Sequence, residues 1–202
     1  MSANRNINHQ ITFKNEVVLQ RLPKTTNGNG AVAGSGVSVV ERGDGLTHRS
    51  VFTFTNFVIP LTDQAGVIAF GGVKFYDFPE GILNIIRAVA NLVVTKSSAG
   101  VNANWNGDFS VGTVTASNNN TLTATEADII PSTPTPAASG GATTAKGFST
   151  SSQNTVHDGS ATAKDAFLNF LVDDTDHNVA GTACNFIING TIVIDWSLPL
   201  DY

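Results

Sequence analysis

Apolar and polar residues alternate along much of this chain, and a period of two is the pattern of β-strands with one buried face. Residues 49–59 show it most clearly, because Phe52, Phe54 and Val58 fall on one side and threonines on the other. Pro60 follows directly and predicts the end of that strand, since proline cannot donate to a sheet ladder. The alternation therefore predicts a strand with a phenylalanine-rich core face.

Other segments carry the β-branched and aromatic residues of strands between clusters of glycine, asparagine and aspartate. These segments are residues 11–22, 31–41, 66–78, 109–116, 165–173 and 186–196. The segment at 165–173 is apolar at odd and even positions, which predicts a strand covered on both faces. Gly71-Gly72 predicts a bulge or bend, and Asn189-Gly190 predicts a bulge or a tight hairpin turn.

Residues 81–96 fit two structures. The residues that would share one side of a helix are Ile82, Ile85, Ile86, Val89 and Val93. Residues 77–80 also resemble a helix start, whereas residues 91–95 are typical of a strand, and we favour the strand. The chain then has roughly eight or nine strands, with a turn about every ten residues. This pattern predicts an all-β fold, an antiparallel β-sandwich with jelly-roll-like architecture.

Two segments are predicted as long irregular surfaces. Residues 1–30 are rich in asparagine and glycine, which predicts an extended N-terminal arm before a single sandwich domain over residues 31–202. Prolines at 131, 134 and 136 and the Gly/Ala/Thr-rich stretch after them predict a long exposed loop over residues 131–147. We expect both the arm and the loop to contact partners.

Composition narrows the function classes. Charged residues form 13% of the chain, against about 25% in an average globular domain, so solvent-facing helices are disfavoured. The net charge of -5 and the lack of a basic run argue against binding to nucleic acid. The polar N-terminus lacks the apolar core of a signal peptide. The most apolar stretch, residues 82–94, is interrupted by Asn84, Arg87 and Asn91, which argues against a membrane span.

Cys184 is the only cysteine of the chain, which excludes an intrachain disulfide and a cysteine metal cluster. We expect Cys184 to be a small buried residue beside a strand, because free cysteine behaves as a hydrophobic side chain. A chain without disulfides is typical of a reducing compartment, where we expect this protein to fold.

A search for catalytic motifs assigns no residue. The chain lacks a Gly-x-Ser-x-Gly elbow, a P-loop and a dinucleotide-binding glycine motif. The histidines, none of which has the spacing of paired metal ligands, are His9, His48, His157 and His177. The glutamates, interpreted as structural and not as a glycosidase pair, are Glu16, Glu41, Glu80 and Glu126. We therefore predict a non-enzymatic protein without catalytic, cofactor-binding or metal-binding residues.

Two positions allow a binding role beside a structural one. Residues 173–178 place alternate oxygen ligands as a calcium site would, but the glycine and the final glutamate of an EF-hand are missing. A solvated turn is the favoured interpretation of this segment. Trp105 lies between two asparagines and would suit an exposed carbohydrate platform, although a buried tryptophan that anchors a turn is favoured.

Several segments together resemble the capsid decoration, or cement, proteins of tailed bacteriophages. They are residues 107–113, residues 121–133, the sequence DAFLNFLVDDTDHN from Asp165, and residues 189–192. These are strand-and-turn patterns, so the resemblance carries over no individual functional residue. It covers residues 30–196 and implies a β-sandwich, a homotrimer, and attachment to the exterior of an icosahedral head.

The resemblance implies a virion structural protein that is made in the host cytoplasm. It would bind across subunits of the major capsid protein and so stabilise the assembled shell, because it binds only that state. Neither nucleic acid nor a membrane is an expected partner. The alternative is a carbohydrate- or receptor-binding β-domain of a phage fibre or tail, and an enzyme on a β-sandwich is the third possibility.

Overall fold

The computed structural model describes residues 24–25, 36–43, 47–64, 68–117, 120–135 and 145–199. The strands are β1 Lys24–Thr25, β2 Val37–Gly43, β3 Thr47–Pro60, β4 Thr62–Gln64, β5 Ile68–Asp77, β6 Gly81–Lys96, β7 Asp108–Gly112, β8 Ile130–Pro134, β9 Ala145–Gly159, β10 Asp165–Asp173 and β11 Asn185–Ser197. Short 3-10 turns at Ala124–Glu126 and Asp174–Asp176 are the helical segments of the described residues. The prediction of an all-β fold is confirmed.

The strands form two antiparallel sheets that pack face to face. Sheet A has the order β1-β2-β3-β11-β6-β9, and sheet B has the order β4-β5-β10-β7-β8. In sheet A, β3 pairs with β11 and β6 with β9, while in sheet B, β5 pairs with β10 and β7 with β8. A long hairpin wrapped into two sheets produces this order, which is that of a jelly roll. The predicted jelly-roll-like antiparallel sandwich is therefore confirmed.

Residues 81–96, whose sequence fits a helix or a strand, form the strand β6. The favoured prediction of a strand is confirmed. The buried residues are Leu83 and Ile85 before Ile86, at odd positions, and Ala88 and Ala90 after it, at even positions. The register with β11 shifts at this point, which marks a β-bulge. Because the bulge changes the parity of the core-facing residues, the isoleucines fall at spacings that imitate a helix.

The core lies between the sheets and is rich in aromatic side chains. Its buried phenylalanines are Phe52, Phe54, Phe57, Phe75, Phe78, Phe109, Phe170 and Phe186. Phe52 of β3 meets the edges of Phe75 and Tyr76 of β5, with ring centroids 5.1 and 4.8 Å apart, and so joins sheet A to sheet B. Burial of each such ring contributes about 1.5–3 kcal/mol. The core role predicted for the phenylalanine-rich faces is confirmed for these residues.

The strand β10 is covered on both faces, as predicted. Leu168 and Phe170 face the core between the sheets, whereas Leu171 packs on the other face against Ala116 and Leu122. These two partners belong to the connection between β7 and β8. The described part of this connection, called the covering segment below (residues 113–117 and 120–129), lies over the outer face of sheet B and forms a second, smaller apolar cluster there.

The predicted face of Val58 is wrong because β3 contains a bulge. Asn56 has a positive φ of 51°, and β3 places two residues opposite the single residue Asn189 of β11. Beyond the bulge Phe57 is buried and Val58 is 46% exposed. The extra residue therefore lies in β3 and not at Asn189-Gly190, and the Asn189 side chain accepts the N–H of Asn56 at 3.0 Å.

The bulge predicted at Gly71-Gly72 is also misplaced. Both glycines pair in regular register with β10, and the register shift lies at Phe75. A Cβ at Gly72 would come within 2.8 Å of the backbone nitrogen of Ala116 in the covering segment. Glycine is needed here for close approach of two backbones and not for a bend.

Residues 1–30 and 131–147 were predicted as irregular surfaces, but the structure places parts of both segments in strands. Lys24–Thr25 forms β1 and pairs with β2, while the rest of residues 1–30 lies outside the described residues. Pro131 and Pro134 belong to β8, which pairs with β7 at the edge of sheet B, where proline is tolerated. Residues 145–147 belong to β9. The loop predicted over 131–147 is thus too long at both ends, and residues 136–144 lie outside the described residues.

The strand predicted over residues 109–116 is shorter in the structure. β7 ends at Gly112, because the next residue, Thr113, turns away and donates both its N–H and its hydroxyl to Asp128. The residues from 121 up to β8 are irregular apart from the 3-10 turn Ala124–Glu126.

Candidate binding face

The two sheets differ in how their outer faces are covered. On sheet B, Asn169 of β10 points into the covering segment, accepting the N–H of Ala116 at 2.8 Å and donating to the carbonyls of Val114 and Glu126. The outer face of sheet A instead leaves large apolar side chains exposed, including Val58, Val93 and Ile86. We therefore treat the outer face of sheet A as the candidate binding face.

A row of four valines crosses the middle of this face. Val40 of β2 lies opposite Val51 of β3, Val51 opposite Val193 of β11, and Val193 opposite Val89 of β6. All four are partly exposed. Side chains directly opposite each other in an antiparallel pair share a face. The valine row, as it is called below, is thus an apolar band about 14 Å wide between its outer strands.

The row beside the valine row on the candidate binding face is polar but uncharged. It consists of Ser38, Thr53, Thr191 and Asn91 at successive paired positions of the same four strands. Further along, Val93 of β6 is 43% exposed, and Val58 of β3 is 46% exposed beside Ile187 of β11. These two rows of the face therefore combine β-branched side chains, hydroxyls and amides, which can bury against a partner without desolvating charge.

The row on the other side of the valine row is charged, and its members are called the arginine row. Arg42 of β2 lies opposite Arg49 of β3, and Asp195 of β11 lies opposite both Arg49 and Arg87 of β6. Arg49 Nη1 lies 3.8 Å from Asp195 Oδ1, and the Arg49 side chain is 57% exposed. Three cations thus share one anion in this row, and two of the cations face each other directly.

Trp105 is buried and not an exposed platform, as the favoured interpretation predicted. Its exposed fraction is 0%, and its ring stacks on Phe186 with centroids 4.7 Å apart. Cys184 is likewise buried and free, which confirms its expected role as a small core residue.

Residues 173–178 form a turn in which a carboxylate accepts a hydrogen bond from the protein's own backbone. Asp176 Oδ2 accepts the N–H of Asn106 at 2.8 Å, and residues 174–176 form a 3-10 turn. Across the part of the chain that the structure describes, no group of three or more His, Cys, Asp or Glu side chains could hold a metal ion. The favoured interpretation, a turn, fits this geometry.

The described histidines each lie beside a carboxylate. His177 Nδ1 lies 3.7 Å from Asp63 Oδ1, and the imidazole is 3% exposed. His48 Nδ1 lies 2.9 Å from Glu41 Oε1, and its ring stacks on Trp196 with centroids 4.1 Å apart. The His48 contacts link β3 to β2 and β11, whereas His177 and Asp63 are too far apart for a hydrogen bond.

His157 takes part in the arrangement that comes nearest to catalytic geometry. Its Nε2 lies 3.1 Å from Thr155 Oγ1 and its Nδ1 lies 3.4 Å from Asp128 Oδ2, beside a surface hollow of about 400 Å³. Hydroxyl, imidazole and carboxylate follow in the order of a hydrolytic triad. However, 3.4 Å exceeds a normal hydrogen bond, and both Asp128 oxygens already accept from Thr113. The geometry favours a link between β9 and the covering segment.

The glutamates that the sequence left scattered remain apart. Glu126 is buried, where its carboxylate accepts the N–H and hydroxyl of Ser117 at 2.9 and 2.6 Å and caps the turn that begins at Thr123. Glu41 instead accepts the Tyr76 hydroxyl at 2.8 Å. Glu80 is exposed, and Glu16 lies outside the described residues. Each described glutamate therefore has its own surroundings, as the structural interpretation predicted.

No protein-family model matches the chain, and no curated protein matches its sequence. None of the described residues belongs to a helix long and apolar enough to cross a membrane. The candidate binding face is therefore the feature of this protein that indicates a function, and it was not predicted from the sequence. In the sequence, this face is visible only as valines and threonines at the outward-facing positions of the strands. These residues do not reveal which strands pair or in what register.

Proposed function

We propose that this protein is a non-enzymatic structural protein of a tailed-phage virion, a decoration protein that binds the outside of the head across major capsid protein subunits. The observation that carries the proposal is the contrast between the two sheets. A covering segment packs on sheet B, whereas sheet A presents an apolar and hydroxyl-rich face. Exposed apolar surface of this kind marks interaction sites in soluble proteins.

The fold supports this proposal through rigidity. Both sheets are tied by an aromatic core, so the candidate binding face is a preformed surface and little conformational entropy is lost on binding. Such a face would stabilise a shell by binding only its assembled state. The resemblance noted in the sequence points to the same role.

The proposed assembly is a homotrimer made in the host cytoplasm, with neither nucleic acid nor a membrane as a partner. Cyclic symmetry would let one trimer sit on a three-fold position of the icosahedral shell. Light scattering of the free protein tests this part: a mass three times the chain mass of 21.1 kDa is expected. A monomer at all concentrations would refute the trimer while leaving capsid binding to be measured separately.

Two matched substitutions test the function. Val93→Asp places a charge on the candidate binding face, and Val114→Asp places the same charge on the covering segment of sheet B. The wild-type residues are 43% and 45% exposed, so the local burial is equal. Each variant is expressed in the infected host, and the chain is quantified in purified particles by mass spectrometry.

We expect the wild-type chain and the Val114→Asp variant in the particles and a loss of the Val93→Asp variant by about tenfold or more. Circular dichroism of the purified variants verifies that both fold. Absence of the wild-type chain from particles would refute the proposal. Equal incorporation of both variants would show that another surface binds.

The alternative is a carbohydrate- or receptor-binding domain, and carbohydrate-binding surfaces usually present exposed aromatic rings. Trp105 was the residue considered for it, and Trp105 is buried in the core. A glycan array with the purified protein separates the two functions, because the decoration role predicts no glycan signal.

A further inference from the structure

The arginine row places two like charges side by side on sheet A. Arg42 and Arg49 lie directly opposite each other on the same face, and like charges in that arrangement destabilise a sheet. Asp195 lies opposite Arg49 and Arg87, so its single negative charge is shared between them. The row as a whole carries a charge of about +2 in a chain whose net charge is -5.

Places where a protein departs from local rules without an internal gain are commonly functional sites. An anionic partner would turn this unfavourable row into a favourable one, because guanidinium groups bind carboxylates in paired hydrogen bonds. The valine row is the neighbouring row on the same face, two residues away along each strand. Charged and apolar contacts would therefore form on one surface.

We propose that the candidate binding face docks on an acidic protein surface, with the arginine row against carboxylates of the partner and the valine row against apolar side chains. This inference rests on the proposed function and specifies which end of the face is electrostatic. A protein partner fits better than nucleic acid. The neighbouring rows are apolar or uncharged, and the acidic chain would repel a phosphate backbone over the rest of its surface.

The test uses the full chain and particles assembled from the major capsid protein without it. Binding is measured at several salt concentrations for the wild type, for Arg42→Gln, and for the double variant with Arg42→Gln and Arg49→Gln. Lys164→Gln is the matched control, since it removes one positive charge away from the face. Melting temperatures of the free proteins are measured in parallel.

We expect each arginine removed to weaken binding about two- to fivefold and to flatten the salt dependence, while Lys164→Gln changes neither. Arg42→Gln should leave the melting temperature of the free protein equal or higher, because it removes the repulsion with Arg49. Weaker binding without a loss of stability is a result that a merely structural arginine would not give.

The outcomes separate this inference from the proposed function. If the wild type binds the particles and the arginine variants bind equally well with the same salt dependence, the inference is wrong and the function stands. If the wild type does not bind the particles, the proposed function itself fails. If the arginine variants instead lose self-association in sedimentation or binding to duplex DNA in a mobility shift, the acidic protein partner is the wrong occupant.

Discussion

Single polar side chains decide where the covering segment lies on sheet B. Asn169 is fully buried, yet its amide makes three hydrogen bonds to the backbone of residues 114, 116 and 126. A buried amide without such partners would cost about 1–3 kcal/mol, so the strand and the segment specify each other. Ser110 adds a further bond, since its hydroxyl donates to the Glu126 carbonyl at 2.7 Å.

Tyr76 provides a residue-level prediction about pH. Its hydroxyl donates to Glu41 Oε2 at 2.8 Å and so links β5 to β2. Burial, followed by the hydrogen bond to Glu41, raises the pKa of Tyr76 far above its usual range. Tyr76→Phe should cost about 1.5–3 kcal/mol at neutral pH, as expected for a hydrogen bond to a charged group.

The pH dependence of this loss follows from the raised pKa. The stabilisation by Tyr76 is complete below the unfolded pKa of about 10 and declines as the pH rises above it, by about 1.4 kcal/mol at pH 11. Urea unfolding at pH 8 and pH 11 should therefore show a smaller difference between wild type and variant at pH 11. An unchanged difference would contradict the raised pKa.

The strands could largely be predicted from the sequence, but their irregularities could not. Alternation identified β3 and β11, because their core-facing and outward residues differ in polarity, and the continuous apolar run at 165–173 identified β10. The bulge at Asn56 could not be predicted, since it depends on pairing with Asn189 more than a hundred positions away. The binding face was missed for the same reason: its valines form a row only after four strands take their register.

Gly190 gives a prediction at the level of strands. Gly190 and Gly81 both have positive φ, of 129° and 132°. A Cβ at Gly190 would also come within 2.9 Å of the Leu92 Cα, whereas at Gly81 it would meet only the Leu198 side chain at 3.3 Å. Alanine should cost about 1–3 kcal/mol at Gly81 through backbone strain, and distinctly more at Gly190. Urea unfolding measures the free energy of unfolding of both variants. An equal loss of stability would mean that the β6 backbone moves away from the added methyl group at residue 190.

The whole molecule depends on its last strand. β11 lies between β3 and β6 in the middle of sheet A, so the sheet is completed only when the C-terminal part of the chain arrives. Chain closure over such distances is slow and exposes unpaired strands before it occurs. We therefore expect sheet A to unfold as one cooperative unit.

Removal of β11 should abolish folding. A chain that ends at residue 184 would leave β3 and β6 without their shared partner. It would also expose the part of the core that Ile192, Ile194 and Trp196 cover in the intact protein. We expect an aggregated chain without a cooperative melting transition in circular dichroism. Addition of a peptide of residues 185–199 during refolding should restore that transition. Native-like melting of the truncated chain alone would show that sheet A closes without β11.

The prolines of β8 have a consequence for how copies of this chain can associate. Pro131 and Pro134 lie in the outermost strand of sheet B and have no amide hydrogen to offer an incoming strand. On sheet A, the outermost strand β9 is interrupted by Asn154, whose φ of 57° breaks the regular extended backbone. These two of the four sheet edges, β8 and β9, therefore resist edge-to-edge growth into fibres.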